Sequence, residues 1–251
     1  MSIHFHASAS GVGVLQVDRP EVRNALDWGA MSAFQQHVEQ AHAWPGLRVL
    51  ILTGGKDIFI AGGDLKQLAE YPSRLDGQRL SSGMSATLQR LAELPCPTIA
   101  AMNGPARGGG AEISLACDLR VMAADADLGL VQIRLGLTPG WGAGQRLLRL
   151  VGYSRAFEWL VTGRILSAEE ALACGLANRV APPGQALEAA MTLAEEIAAQ
   201  PPAVVQAIKR LLRLGLELPP AAAAASEAAV FPDLWADDAH LQAVQRFLER
   251  K

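Results

Sequence analysis

Aromatic side chains make up only 5 % of this 251-residue chain, and cysteine is scarcer still, with three. Cys96, Cys117 and Cys174 are an odd number without C-x-x-C spacing, each in an apolar neighbourhood. That excludes a disulfide framework, and reduced core thiols are expected. Charge of one sign is also missing: 22 basic residues stand against 25 acidic ones, for a net charge of −3. A protein that neutralises nucleic-acid phosphates needs a basic surplus, so nucleic acid is excluded as a partner. No apolar run approaches the roughly 20 residues that span a bilayer, and Met1-Ser2-Ile3-His4-Phe5-His6 lacks the basic-then-apolar order of a secretory signal. No membrane association is expected, and a cytoplasmic location is. G-x-G-x-x-G after a strand, G-x-x-x-x-G-K-[ST] and G-x-S-x-G are all absent, which removes the anchors of nicotinamide, ATP and serine-hydrolase readings. His4 and His6 share a strand face, but no cluster supports them as ligands and no metal is expected.

Glycine, with 24 residues, and apolar residues, at half the chain, are abundant. Asn103-Gly104-Pro105-Ala106-Arg107-Gly108-Gly109-Gly110-Ala111-Glu112 follows the apolar run 98–102 and precedes another at 113–117, which reads as strand, glycine turn, helix. Three glycines leave backbone N–H groups open to a ligand at a helix N-terminus, and Glu112 is the first charged side chain of that helix. An anion-stabilising turn beside a carboxylate suits acid/base chemistry through an oxyanion. Close backbone packing, with Glu112 placed for the helix dipole, is the alternative.

Ile3–Ala7 and Val12–Val17 read as a hairpin, and Asp27 caps a helix whose buried face is Met31, Phe34, Val38 and Ala41. Arg48–Thr53 reads as a buried strand. A second glycine turn, Ala61-Gly62-Gly63-Asp64-Leu65-Lys66, then opens a helix with Asp64 as N-cap; Lys66 in its first turn is either solvated or paired with an anionic ligand. Residues 74–94 carry Leu80, Met84, Leu88 and Leu91 on one helical face. Strands are predicted at 118–123, 127–131 and 176–180, with a Pro- and Gly-rich loop over 132–144 in which Trp141 is either a pocket wall or a packed aromatic. Helices dominate from Ala143 onward. The plainest division is an α/β core over residues 1–190 and a helical region over 191–251.

In their order and separation the two glycine turns resemble the enoyl-CoA hydratase/isomerase, or crotonase, family. Arg19-Pro20 with Asn24-Ala25-Leu26, Phe59-x-Ala61-Gly62-Gly63-Asp64-Leu65-Lys66, the Asn103–Glu112 stretch and Leu135-Gly136 with Pro139-Gly140 carry the resemblance, and Gly163-Arg164-x-x-Ser167-Ala168-x-Glu170-Ala171 extends it. The resemblance implies a spiral of β-β-α units whose C-terminal helices pack trimers or dimers of trimers. It implies an acyl-coenzyme A substrate and no separate cofactor. Gly63 and Gly109 match the family's two oxyanion-hole N–H positions, and Glu112 matches its first catalytic glutamate. Val22, Ala61, Gly62, Asp64, Leu65 and Lys66 fall where the family binds the CoA moiety. Typical hydratases use a second glutamate, which falls here on Gln132, an amide that cannot act as general acid or base. Three readings follow: enoyl-CoA hydration by Glu112 alone, decarboxylation or isomerisation of an acyl-CoA, and a catalytically weak acyl-CoA-binding paralogue. Arg107 stands where the family more often has an apolar residue, and either forms a surface ion pair or turns inward toward a substrate carboxylate or CoA phosphates.

Overall fold

The computed structural model describes residues 3–249. A six-stranded sheet runs through the core in the order β1 (Ile3–Ala7), β2 (Val12–Val17), β3 (Val49–Thr53), β4 (Thr98–Met102), β6 (Leu119–Ala123) and β9 (Arg179–Ala181). Only the β1–β2 hairpin is antiparallel; the remaining neighbours are parallel. β3 and β4 are buried at every position, as expected for strands covered on both faces. The helices of this layer are α1 (Trp28–Ala43), α3 (Arg74–Ala92) and α8 (Ala186–Ala198). Met31, Phe34, Val38 and Ala41 are the buried face of α1, and Asp27 caps it by accepting from the Ala30 N–H at 2.7 Å.

Of a second, smaller sheet the sequence shows one strand, the one expected over 127–131. β5 (Ala106–Arg107), β7 (Asp127–Gly129) and β8 (Ile165–Ser167) form a three-stranded sheet, and an isolated parallel bridge joins Ile60 to Ala106. The chain therefore repeats one move. A strand of the large sheet is followed by a residue or strand in the small stack and then by a helix: β3, Ile60 and α2 (Leu65–Leu68); β4, β5 and α4 (Gly109–Ala116); β6, β7 and α5 (Ala143–Val151). This is the spiral of β-β-α units that the resemblance implies.

The remaining helices are α6 (Tyr153–Thr162), α7 (Ala168–Ala173), α9 (Pro202–Glu217), α10 (Pro220–Trp235) and α11 (Asp238–Glu249). The expected division after residue 190 falls inside α8, whose Ala186, Ala190 and Ala194 are buried against the large sheet. α9–α11 form the helical region, while residues 1–2 and 250–251 of the two expected parts lie outside the described residues. Cys96 and Cys117 are buried free thiols, pushed up by burial to about 11 and about 12, so they stay protonated and inert; Cys174 is a half-buried free thiol.

Candidate active site

The spiral explains why two glycine turns 46 residues apart in sequence meet in space. Ile60 pairs with Ala106, so Gly62-Gly63 and Gly108-Gly109, each just downstream, lie side by side. A Cβ on Gly62 would come within 2.9 Å of both the Arg107 carbonyl and the Gly109 nitrogen, and the φ of Gly62 is +100°, so only glycine fits there. Two glycines of the triple are likewise enforced by contact, and the first, Gly108, by its φ of +50°. A side chain on Gly110 would strike the Ile60 carbonyl at 1.8 Å, and one on Gly109 would strike the Trp141 ring at 2.2 Å. Among the described residues neither the Gly63 nor the Gly109 N–H has a hydrogen-bond acceptor. Two unengaged donors at adjoining turns, one of them at the N-terminus of α4, make a site for negative charge.

Glu112 projects from the first turn of α4 and is 2 % exposed. Its Oε1 accepts from Gln132 Nε2 at 2.9 Å and from the Gly140 N–H at 3.1 Å; its Oε2 accepts from the N–H groups of Trp141 at 2.7 Å and Ala143 at 3.1 Å. Burial pushes the carboxyl above the usual glutamate range, and the bonds from Ala143, Trp141, Gly140 and Gln132 only partly offset it. A buried carboxyl poised this way can take or give a proton nearer neutral pH than an exposed one. Gln132 opens a 3-10 turn, Gln132–Leu135, which follows β7, and its own Oε1 is buried without a partner. That unmet acceptor marks a place for a donor.

The loop from Gly140 to Ala143 is itself clamped. Ser81 and Ser85, one turn apart on α3, donate to the Gly140 carbonyl at 2.6 and 3.1 Å, and Arg146 donates to the Trp141 carbonyl at 2.8 Å. Arg146 is half-buried; desolvation pushes its guanidinium below its ordinary value, and the negative charge of Glu112 pulls it back up. At the far end of α4, buried Arg120 donates to the carbonyls of Ser114 and Cys117 at 3.3 and 2.9 Å, matching the negative end of the helix dipole. Sequence reasoning does not single out Ser81, Ser85, Arg146 or Arg120. The only signal for the serines is their i, i+4 spacing on α3.

The other expected site residues divide into two groups. Val22 ends a 3-10 turn, Pro20–Val22, and the adjoining Arg23 carbonyl accepts from the Ala61 N–H at 3.2 Å; the Gly62 carbonyl accepts from Leu26 at 2.7 Å. The loop over 19–26 is thus laced to the first glycine turn. Asp64 caps α2 through the N–H groups of Lys66 and Gln67, Leu65 is exposed, and exposed Lys66 forms no ion pair among the described residues. Arg107 takes the ion-pair alternative. It lies in β5 rather than in an open turn, and its guanidinium makes a two-point ion pair with Asp127 of the neighbouring β7, one contact at 2.8 Å. Trp141 is 5 % exposed and packs over Gly109, so it lies at the site rather than elsewhere in the core.

Adjoining oxyanion-type donors, a buried glutamate and a spiral of β-β-α units define the class. The chain belongs to the enoyl-CoA hydratase/isomerase family, which matches residues 7–251. It is 33 % identical over 248 residues to an ethylmalonyl-CoA decarboxylase of Gallus gallus, covering 98 % of this chain and 83 % of that one. It is 32 % identical over 241 residues to a short-chain-enoyl-CoA hydratase of Clostridium acetobutylicum, covering 96 % and 92 %. Among solved structures, an enoyl-CoA hydratase from Bacillus anthracis superposes with a TM-score of 0.94 at 34 % identity, covering 100 % of this chain and 97 % of that one. The fold is that of the crotonases. No helix among the described residues is long and apolar enough to cross a membrane.

Proposed function

We propose that this protein is a lyase acting on acyl-CoA thioesters through an enolate held by the Gly63 and Gly109 N–H groups, with Glu112 as the group that moves the proton. The observation that carries this reading is the buried Glu112 carboxyl beside two unengaged N–H donors. The thioester oxygen gains nearly a full negative charge as the enolate forms, so two fixed donors favour the enolate over the substrate. Coenzyme A is part of the substrate, and no separate cofactor takes part. Val22, Ala61, Gly62, Asp64, Leu65 and Lys66 line the approach of the CoA moiety, with the Lys66 ammonium available to its phosphates.

Hydration of an enoyl-CoA is the first reading. The Glu112 carboxylate takes a proton from water as the water oxygen bonds to the β carbon. The C=C electron pair moves into the enolate, and Glu112 then returns the proton to the α carbon. Gln132 stands where typical hydratases carry their second glutamate, and it orients Glu112 without taking a proton.

That amide favours a second reading, decarboxylation of a malonyl-type thioester. There the bond to the departing carboxylate breaks, its electron pair becomes the enolate, and protonated Glu112 supplies the only proton needed. Solvent then reprotonates the glutamate. Assaying the protein against crotonyl-CoA and ethylmalonyl-CoA separates the two: loss of the enoyl absorbance supports the first, release of carbon dioxide the second. Binding of both without turnover would leave the third reading, a paralogue that only binds acyl-CoA.

Exposed apolar side chains on α6 and on the C-terminal helices, among them Tyr153, Phe157, Leu212, Phe231, Trp235 and Phe247, support assembly into a homotrimer or a dimer of trimers. Light scattering on the purified protein gives the mass that tests this. The cytoplasm remains the proposed location.

A further inference from the structure

We infer that Trp141 gauges the acyl group, its fixed indole confining the site to short, compact chains. The inference rests on the thioester reading above. Trp141 links the two parts of the proposed chemistry: its ring stands where a Gly109 Cβ would lie, and its main-chain N–H donates to Glu112 Oε2 at 2.7 Å. An acyl group whose thioester oxygen sits on the Gly109 N–H therefore has the indole, packed on that same glycine, as a neighbour. Across from it, the first turn is covered by Leu68, whose Cδ1 lies 2.7 Å from where a Gly63 Cβ would stand.

A bulky side chain limits chain length only if it cannot swing away. Trp141 is held from three sides: its N–H is bound by Glu112, its carbonyl by Arg146, and the preceding carbonyl by Ser81 and Ser85 of α3. Rotating the indole out would leave these bonds in place but would strip a nearly fully buried aromatic of its packing. Moving the peptide with it would break four hydrogen bonds. Neither motion comes free with a longer substrate, so additional methylenes meet a wall.

The test is calorimetric titration of butanoyl-, hexanoyl- and decanoyl-CoA into the full-length protein and its Trp141→Ala and Trp141→Phe variants, with circular dichroism to establish folding. The native protein is expected to bind butanoyl-CoA at least ~10-fold more tightly than decanoyl-CoA, the scale on which an apolar pocket discriminates by methylenes. Trp141→Ala is expected to abolish that preference, and Trp141→Phe, which keeps a ring and tolerates the fold, to shift it toward hexanoyl-CoA. Equal affinity of the native protein for the short and long thioesters would overturn the inference, as would an unchanged ratio in either folded variant. Binding needs no proton transfer, so a short-chain preference without turnover would sink the reaction assigned to Glu112 and leave the gauge standing. Failure to bind any of the three would overturn both.

Discussion

Replacing Gly109 with alanine tests the site through a single methyl group. The new Cβ would lie 2.2 Å from Cζ3, 2.4 Å from Cη2 and 2.9 Å from Cε3 of Trp141. Carbon atoms rest at about 3.5–4.0 Å, so the indole must recede by more than about 1 Å. Its backbone is tied at Glu112, Arg146 and, through Gly140, α3, so the displacement spreads to the N–H groups that hold the carboxylate. Overpacking of this kind costs about 2 kcal/mol, which lowers the melting temperature of a chain this size by roughly 4–8 °C. Misplacing the proton-transfer group by about 1 Å costs on the order of 10² in turnover. Thermal unfolding and steady-state kinetics of Gly109→Ala, Trp141→Ala and the double variant check both figures. The double variant should recover part of the stability lost by Gly109→Ala, because the methyl group then has room. A Gly109→Ala protein with native melting and turnover, or strictly additive losses, would refute the contact.

Gln132→Glu places a second carboxyl 2.9 Å from the first, where the two share a proton and titrate as a pair; crotonyl-CoA hydration should rise by ~10², the lower edge of what an added acid/base group supplies, and no gain in a folded variant would show a pocket unsuited to two-carboxylate chemistry. The pH profile of turnover carries a sign. Glu112 titrates above the usual glutamate range, so if it acts as a base turnover rises as pH climbs through that raised value, and if it acts as an acid turnover falls over the same window. Its contribution to stability follows the second pattern: the native state holds the proton more tightly, so the contribution is complete below the unfolded-state value and is lost as pH rises through the folded one. A profile flat across that window would remove Glu112 from the rate-determining proton transfer. Arg107→Ala, which removes only a partly exposed ion pair, should cost no more than about 1 kcal/mol in urea unfolding and leave the KM for acyl-CoA unchanged; a raised KM would restore the inward reading of that residue.

Much of the fold is legible in the residues, because apolar periodicity and caps are local. Asp27 and Asp64 cap the helices they announce, and the buried strands at 49–53 and 98–102 coincide with apolar runs. Beyond the strand expected over 127–131 the small sheet was not legible: β5 is two residues long inside a Pro- and Gly-rich stretch, and its pairing with Ile60 and β7 is a matter of tertiary register. Arg107 stayed ambiguous for that reason, since only the adjacent β7 supplies Asp127 as its partner. The juxtaposition of Glu112 with Gln132 agrees with motif order, yet the N–H groups of Gly140, Trp141 and Ala143 that hold the carboxylate carry no side-chain signature at all. Ser81 and Ser85 read as ordinary polar positions on a helix until the loop they clamp is seen.

Glu112→Gln addresses the central claim most directly. The amide keeps the shape but offers only one accepting oxygen to donors that now occupy two, so a loss of about 3 kcal/mol, or roughly 6–12 °C in melting temperature, is expected from the unmet N–H groups. The decisive reading is turnover against binding in the folded variant. The account predicts that conversion of whichever thioester the native protein consumes falls by a factor on the order of 10² to 10⁴, while the dissociation constant of a saturated short-chain acyl-CoA stays close to native. Native turnover in Glu112→Gln, or turnover lost only in step with thioester binding, would contradict it.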